Sequence, residues 1–445
     1  MAPAGLCLVL LAILPPSPPV ALNVDLGAKL ETVVGTNISG GSPAGEVSAI
    51  LSLAPGVVVE ERSQTGGLKL TYVPLLYTTA LGAGTGPTKL LVLQRFGFEA
   101  QNQISRTAGV FLAGSIWYGD QDYSPVVNQG APPGRVTGAP GQPAPPVFPG
   151  TLPQIQVLRV FDSSTRVGFY LLTSRSVRLD FDVGFNWDEG ANAVSRITLP
   201  LQRGPFLDAR AEIQLTGRDT LTPSLRAALL SYGPIYRAAG SNDENGSTVL
   251  IDHYQTGLRL GGSELTATWA HQETQALRTQ LGGGLGIVYQ SPSYDQPLVN
   301  QGQLIWIGTQ IPVPASAFVY PIISGTVRYR VSVEQPLELT AAAALTPIVN
   351  QFAGTVFERL EGVVSALWLP NPRLELEALA SAAASFNPQD VDVRGEVRAL
   401  WKVSTHVALS LGGRVAWVDY SVPGALNGFS WSVFLGVAGA TGTLL

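Results

Sequence analysis

Apolar and polar residues alternate with a period of two along much of this chain. Across residues 391–403, odd positions are apolar or glycine and even positions are charged, with Leu400 as the exception. Residues 177–188 and 207–216 alternate in the same way. Side chains on a β-strand point to opposite faces in turn, so each segment has one apolar and one polar face. A helix would spread these charges around its circumference, and the alternation therefore predicts an all-β fold.

Twenty segments show this alternation, among them residues 67–79, 194–203 and 249–260, and merging neighbouring segments lowers the number to about 16. Most of the segments run over 10 to 15 residues. Strands of soluble proteins average about 5–6 residues, whereas a strand that crosses an outer membrane needs about 9–11 tilted residues. The segment lengths therefore favour strands that cross a membrane.

The composition agrees with a membrane protein built from strands. Charged residues make up 13 % of the 445 residues, about half of the roughly 25 % typical of soluble domains. After residue 22 no run of 18 apolar residues occurs, so no transmembrane helix is expected. Because backbone groups in hydrocarbon must pair within the protein, crossing strands must form a closed sheet. We therefore expect a closed antiparallel transmembrane β-barrel of about 16–20 strands, with about 18 as the best estimate.

The connections between these segments alternate in length. Residues 347–354 and 421–428 form long connections, whereas residues 370–372 and 403–405 form short ones. This alternation predicts short periplasmic turns on one rim and longer outer loops on the other.

The two longest insertions are predicted near residues 120–151 and 291–322. The second contains Leu304–Ile307, a run too apolar for a freely solvated loop. It either folds inward and narrows a pore, or it is another strand or a packed outer loop.

The N-terminus predicts export. Residues 6–14 form an apolar run that contains Cys7, the one cysteine of the chain. This run is typical of a signal-peptide core. We therefore expect a signal peptide over residues 1–21 and a single barrel domain over residues 22–445.

Aromatic residues lie at or near the ends of the predicted strands. Amphipathic rings prefer the headgroup level of a membrane, so this placement favours two interfacial girdles. The predicted interface aromatics are Trp117, Trp187, Tyr289, Trp368, Trp401, Trp417 and Tyr420.

If the apolar faces contact lipid, the charged faces line the interior. Acidic and basic side chains are mixed there. They either create an electric field that orients polar solutes in a pore, or they form ion pairs that brace neighbouring strands of a barrel through which no solute passes. The predicted lumen-lining residues are Arg178, Asp180, Asp182, Asp208, Arg210, Glu212, Arg328, Arg330, Glu375, Glu377, Asp392, Arg394, Glu396, Arg398 and Arg414.

Other chemistry has little support in the sequence. The three histidines are scattered without metal-ligand spacing. His406 lies near Ser404 and Ser410, a pairing that a membrane-embedded hydrolase would need but that is common by chance. We therefore expect no enzyme activity, no cofactor and no metal site. The net charge of −5 excludes a basic nucleic-acid-binding protein.

The first 120 residues also carry short motifs of a known family. The motifs are residues 30–32, 35–38, 53–57 and 68–74. They are similar to the opening strands of the outer-membrane β-barrel porins of Gram-negative bacteria. The resemblance implies an outer-membrane location, passive transport, and delivery by a barrel-insertion machinery. The C-terminal Leu445 departs from the terminal Phe or Trp typical of outer-membrane insertion signals.

The sequence thus predicts a passive, porin-like channel for small hydrophilic solutes. The alternative is a structural or secretion-associated outer-membrane barrel that serves an exported polymer or partner complex without free conduction. The expected partners are outer-membrane lipid, the barrel-insertion machinery and small polar solutes.

Overall fold

The structure is a computed structural model of the chain. It describes residues 21–36, 46–63, 65–78, 90–122, 157–192, 195–196, 199–242, 248–300, 304–306, 311–331, 336–350, 355–386, 389–404, 406–420 and 428–440. Residues 1–20 of the predicted signal peptide and most of the predicted insertion 120–151 lie outside the described residues. In the described part of the chain, no helix is long and apolar enough to span a membrane.

The described residues form 24 strands. They are β1 (Ala21–Thr36), β2 (Glu46–Arg62), β3 (Gly66–Tyr72), β4 (Leu75–Thr78), β5 (Leu90–Ser105), β6 (Ala108–Asp122), β7 (Val157–Ser174), β8 (Val177–Gly190), β9 (Gln202–Gln214), β10 (Asp219–Tyr232), β11 (Ile235–Asn242), β12 (Thr248–Thr256), β13 (Arg259–Gln272), β14 (Leu277–Gln290), β15 (Ser293–Asn300), β16 (Leu304–Trp306), β17 (Ile311–Val313), β18 (Ser316–Arg330), β19 (Leu337–Asn350), β20 (Thr355–Asn371), β21 (Leu374–Phe386), β22 (Gln389–Lys402), β23 (Val407–Tyr420) and β24 (Gly428–Ala440).

Nineteen of these strands form one antiparallel sheet. Successive strands of this sheet pair with each other, except that β3 and β4 both lie between β2 and β5. The sheet passes directly from β10 to β13 and from β14 to β18. The first strand, β1, pairs with β2 along one side and with β24 along the other. The fold is therefore all-β and antiparallel, as the alternation predicts.

The predicted strand at residues 67–79 is interrupted at Val73 and Pro74. It forms β3 and β4, which occupy the same position between β2 and β5. Proline has no backbone N–H to donate to a neighbouring strand, which explains the break at this point.

Two predicted segments do not belong to the large sheet. At 194–203 the prediction is wrong for the described residues before Gln202, because Ser195 and Arg196 are helical, residues 199–201 are not in a strand, and β9 begins at Gln202. The Asn192 side chain accepts a hydrogen bond from the Ser195 backbone N–H (2.7 Å), and this cap favours a turn over a strand. The segment predicted at 249–260 is largely β12, which belongs to a second sheet.

This second sheet contains β11, β12, β15, β16 and β17. It arises where the connection between β10 and β13 pairs with the connection between β14 and β18, through β12 and β15. The apolar run at residues 304–306 is β16, in which Trp306 pairs with Leu298 of β15. The insertion at 291–322 therefore forms strands, which is one of the alternatives that the sequence left open.

The connections of the large sheet differ between its two edges. One edge, the turn rim, carries mainly the short connections 106–107, 175–176, 215–218, 273–276, 331–336, 372–373 and 403–406. The opposite edge, the loop rim, carries 37–45, 79–89, 123–156, 191–201 and 421–427, together with the second sheet. Two short connections, 351–354 and 387–388, also lie on the loop rim.

The apolar face of the large sheet is its accessible face. In β8, Val183 and Phe185 are 40 % and 43 % exposed, whereas Asp180 on the opposite face is only 7 % exposed. Soluble proteins show the reverse, because they bury apolar side chains and expose charges. We call the two sides of the sheet the apolar face and the charged face.

Aromatic rings cover glycines on adjacent strands. In six directly paired positions, a Cβ on the glycine would overlap the ring of its partner, so the small residue makes room for the large one. The pairs are Gly109–Tyr170, Gly114–Phe98, Gly168–Phe111, Gly184–Phe206, Gly286–Tyr320 and Gly412–Phe434.

Neighbouring glycines of β14 provide a test of this close packing. A Cβ on Gly284 would overlap the backbone of β13 at Leu265 and Thr266, whereas a Cβ on Gly283 would meet no atom within 4 Å. We expect Gly284→Ala to lower the free energy of unfolding by about 1–3 kcal/mol, because the backbone of β13 must move.

The temperature at which the protein changes its migration on a gel measures this loss, since folded barrels migrate differently until heated. Gly283→Ala is the matched control and should leave that temperature unchanged. Equal effects of the two substitutions would contradict the packing of β14 on β13.

Candidate functional site

The fifteen predicted lumen-lining residues all lie on the charged face. Directly paired residues of antiparallel strands share a face, so the register can be followed from strand to strand. It runs from Asp208 of β9 through β10, β13, β14 and β18 to β19, and then through β20 and β21 to Arg398 of β22 and Arg414 of β23. The structure therefore places these residues on one continuous surface.

Six of them form the β8–β9 cluster, which contains Arg178, Asp180, Asp182, Asp208, Arg210 and Glu212. Asp180 is its buried centre. Arg178 donates to the Asp180 carboxylate at 2.8 Å, and Arg210 lies 3.5 Å from the other oxygen of the same carboxylate. The Arg178 guanidinium also lies over the ring of Tyr170, 4.9 Å from its centroid. These contacts hold both arginines in fixed positions on the charged face.

Asp182 and Asp208 of the same cluster are directly opposite each other in the register of β8 and β9. Neither carboxylate forms an ion pair or hydrogen bond within the described residues. Like charges in directly opposed positions destabilise a sheet, so this arrangement has a cost in stability. The cluster thus presents two carboxylates that are not neutralised by direct contact.

A second group of charges, the β20–β23 ladder, contains Arg359, Glu361, Glu375, Glu377, Asp392, Arg394, Glu396, Arg398, Lys402 and Arg414. Here acids and bases are paired. Arg398 contacts Glu377 at 2.7 Å across β21 and β22, and Arg414 contacts Glu396 at 2.8 Å across β22 and β23. Arg359 pairs with Glu361 (2.8 Å), and Arg394 pairs with Asp392. The ladder is therefore rigid and close to neutral.

The remaining predicted residues, Arg328 and Arg330, lie near the turn rim and share one partner. Glu338 of β19 accepts from Arg328 at 2.7 Å and lies 3.4 Å from Arg330. Between Arg328 and the loop rim, the charged face of β14 carries Gly282, Gly284 and Gly286 and no charged residue. Ser224 and Thr266 form a hydroxyl–hydroxyl hydrogen bond of 2.6 Å there.

The sequence reasoning missed several charged residues that share this face, among them Arg166, Arg226 and Glu264. Arg226 pairs in register with both Asp208 and Glu264. Arg166 lies over the ring of Phe111 at 5.6 Å. The signal was present in the alternation, because Arg226 is the single charge in an otherwise uncharged alternating segment.

Of the seven predicted interface aromatics, five lie on the apolar face near a strand end. Trp187, Tyr289 and Trp417 lie towards the loop rim, and Trp368 and Trp401 lie towards the turn rim. Two levels of aromatic rings therefore flank the apolar face.

The other two predicted aromatics differ. Trp117 pairs in register with Asp162 and therefore lies on the charged face. The side chain of Tyr420 lies outside the described part of the chain. Trp269, which the sequence reasoning did not select, lies on the apolar face near the turn rim, where its indole N–H donates to Asp219 at 3.1 Å.

The serines near His406 do not form a nucleophile–base pair with it. The Ser404 hydroxyl oxygen accepts from the His406 backbone N–H at 3.2 Å, so this contact uses the main chain and not the imidazole. Ser410 is buried on the charged face of β23.

No protein-family model matches the chain, and none of the curated proteins matches it. Among solved structures, the chain is similar to the copper transporter OprC, with a TM-score of 0.49 and 10 % identity over 92 % of this chain and 63 % of that one. It is also similar to the ferric yersiniabactin uptake receptor FyuA from Yersinia pestis, with a TM-score of 0.47 and 8 % identity over 89 % of this chain and 61 % of that one. The chain thus spans about three fifths of the length of these two proteins.

A third similar structure is Pseudomonas aeruginosa OccK2 (OpdF) in complex with glucuronate, with a TM-score of 0.41 and 11 % identity over 95 % of this chain and 98 % of that one. These neighbours are outer-membrane β-barrel proteins.

The contact between Glu377 and Arg398 can be tested by a double-mutant cycle. Their side chains are only 17 % and 29 % exposed, so we expect Glu377→Gln and Arg398→Gln to be coupled by about 1–2 kcal/mol in the free energy of unfolding. Chemical unfolding in detergent micelles measures each variant and the double variant.

The next pair of the ladder serves as the control. Lys402 is 50 % exposed and lies 3.8 Å from Glu375, so its coupling should stay below about 0.5 kcal/mol. A coupling for Glu377 and Arg398 no larger than this control would show that the ladder does not brace the sheet.

Proposed function

We propose that the large sheet closes into a barrel of 18 strands, with β3 and β4 counted as one position. The pairing of β1 with β24 over Gly27–Thr36 supports this closure, because it joins the first strand of the sheet to the last one. Closure satisfies the backbone groups of the first and last strands, which an open sheet in a membrane would leave unpaired.

The barrel lies in the bacterial outer membrane, with its apolar face against lipid. The accessible apolar side chains support this orientation, and most paired strands are 13 to 18 residues long, more than the roughly 9–11 residues needed to cross. The aromatic rings at two levels fit the two membrane interfaces. The turn rim faces the periplasm and the loop rim faces outwards.

The charged face lines a water-filled lumen in this proposal. Barrels of about 16–18 strands are wide enough for an aqueous channel. In a ring of 18 positions, β8 and β22 are nine pairing steps apart in either direction. The β8–β9 cluster therefore faces the β20–β23 ladder across the lumen, and a polar solute between them would be oriented by charges on both sides.

The function supported best is passive conduction of small hydrophilic solutes. The observation that carries it is the inverted surface of the sheet, with accessible apolar side chains on one face and the charges, including the buried Asp180, on the other. In this proposal residues 1–21 are a signal peptide, residues 22–445 are the barrel, and the barrel-insertion machinery and outer-membrane lipid are its partners.

A structural or secretion-associated barrel is the second candidate. The ion pairs of the β20–β23 ladder favour it, because charges that pair across neighbouring strands stiffen a barrel without any solute. Conductance in a planar lipid bilayer distinguishes the two. A protein that is inserted and heat-modifiable, yet electrically silent, would support the structural role.

The two carboxylates without direct partners should control ion selectivity. We expect Asp182→Asn combined with Asp208→Asn to lower the ratio of cation to anion permeability, because two negative charges leave the charged face. The reversal potential in a gradient of potassium chloride measures this ratio.

The matched control is Glu273→Gln combined with Asp419→Asn, which removes two negative charges from the outer side of the sheet. This control should keep the permeability ratio of the unmodified protein. If both double variants shift the reversal potential equally, the charged face does not line the conduction path.

A further inference from the structure

We propose a binding site for the phosphate-bearing headgroup of an anionic lipid on the apolar face at the loop rim, formed by Arg203 and Arg259. The proposal rests on the membrane location given under the proposed function and names a lipid partner and its position. It concerns the outside of the barrel and uses none of the charged-face residues.

The two arginines lie in one row across four neighbouring strands. In the register, Trp187 of β8 pairs with Arg203 of β9, Arg203 pairs with Ser231 of β10, and Ser231 pairs with Arg259 of β13. Neighbouring strands are about 4.8 Å apart, so the backbones of Arg203 and Arg259 are separated by roughly 10 Å. Both guanidinium groups can reach a single headgroup placed over Ser231. We call these four residues the arginine row.

The arginine row carries positive charge that none of the described residues neutralises by an ion pair. Arg203 and Arg259 are both exposed, and within the described residues neither forms an ion pair. The Arg203 guanidinium lies over the ring of Trp187, 5.3 Å from the ring centroid, which leaves its N–H groups available. Planar guanidinium groups bind phosphate through two parallel hydrogen bonds.

Other arginines at the same rim differ in this respect. Arg159 pairs with Asp120 at 2.8 Å, and Arg196 lies 3.5 Å from Glu189. Because neighbouring arginines have acidic partners, the absence of one at Arg203 and Arg259 distinguishes the arginine row from a general excess of positive charge.

The position of the row along the strands matches the headgroup level. Two residues further into the sheet, the same face carries Phe185, Leu229 and Tyr289, of which Leu229 and Tyr289 are 51 % and 49 % exposed. The arginines thus lie immediately beyond the apolar surface, where anionic headgroups meet basic side chains and aromatic rings.

A gap in the apolar surface lies directly below Arg259. Gly261 of β13 lies between Leu229 and Tyr289 in the register, and a Cβ there would meet only the Leu229 side chain, at 3.8 Å. A lipid whose phosphate binds Arg203 and Arg259 could place an acyl chain along this gap. The apolar surface below the charges is the reason for assigning a lipid and not a free phosphate ion.

Lipid retention by the purified full chain tests the site. The protein in detergent micelles is mixed with phosphatidylglycerol or with phosphatidylcholine of the same chains, and bound lipid is counted by native mass spectrometry. We expect Arg203→Gln combined with Arg259→Gln to lower retention of phosphatidylglycerol about tenfold and to leave the weak retention of phosphatidylcholine unchanged. Millimolar inorganic phosphate should not displace the lipid.

The matched control is Arg106→Gln combined with Arg373→Gln, which removes two exposed arginines from the turn rim and should retain phosphatidylglycerol as the unmodified protein does. The double Arg→Lys variant at positions 203 and 259 keeps the charge but loses the paired hydrogen bonds, so intermediate retention is expected. Heat-modifiable migration verifies that each variant is folded.

Equal retention by the 203/259 variant and the turn-rim control would overturn the proposal, as would complete displacement by inorganic phosphate. Bilayer conductance of the same preparations tests the proposed function separately. A silent protein that still loses phosphatidylglycerol on substitution of the arginine row would reject the channel and keep the lipid site.

Discussion

Hydrogen bonding between neighbouring strands is the constraint on which the rest of this structure depends. In the described part of the large sheet each strand has a partner on both sides, including β1, which lies between β2 and β24. Peptide groups that are already paired between strands need no water, so such a sheet can expose an apolar face to hydrocarbon. This pairing allows apolar side chains to be accessible on one face while the charges lie on the other.

Because apolar side chains occupy one face of the sheet, its polar groups are accommodated on the other face. The chain does this in two ways. Around β20–β23, acids and bases alternate so that each charge has a neighbour of opposite sign, as with Glu396 and Arg414 at 2.8 Å. Around β8 and β9, Asp182 and Asp208 remain without direct partners in the described residues. A rigid, nearly neutral surface and a surface with residual charge therefore coexist on one face.

Glycine has a packing role on this sheet. Where a large ring lies flat on the neighbouring strand, its partner is a glycine, as with Gly286 under Tyr320 and Gly412 under Phe434. On the apolar face the same residue type leaves gaps, of which Gly261 is one. Among the described glycines, some therefore allow close approach of a large ring and others leave openings in the surface.

The alternation of residues identified the strands and the face of each charge, because the side-chain period of a strand is local and can be counted. All fifteen predicted charged positions share a face for this reason. The sequence did not reveal that β12 pairs with β15 and leaves the large sheet, since its alternation is the same as that of β10. Nor did it reveal the turn capped by Asn192 or the position of Trp117 opposite Asp162.

The sequence by itself therefore determined the class of fold, the strand period and the composition of each face. Only the tertiary structure decided which strands are neighbours, which charges meet, and which arginines lie without an acidic partner among the described residues. The physical reason is that period and composition are properties of consecutive residues, whereas ion pairs such as Arg398 with Glu377 join residues from different strands. The register between two strands depends on both of them, so it cannot be read from the sequence of either strand alone.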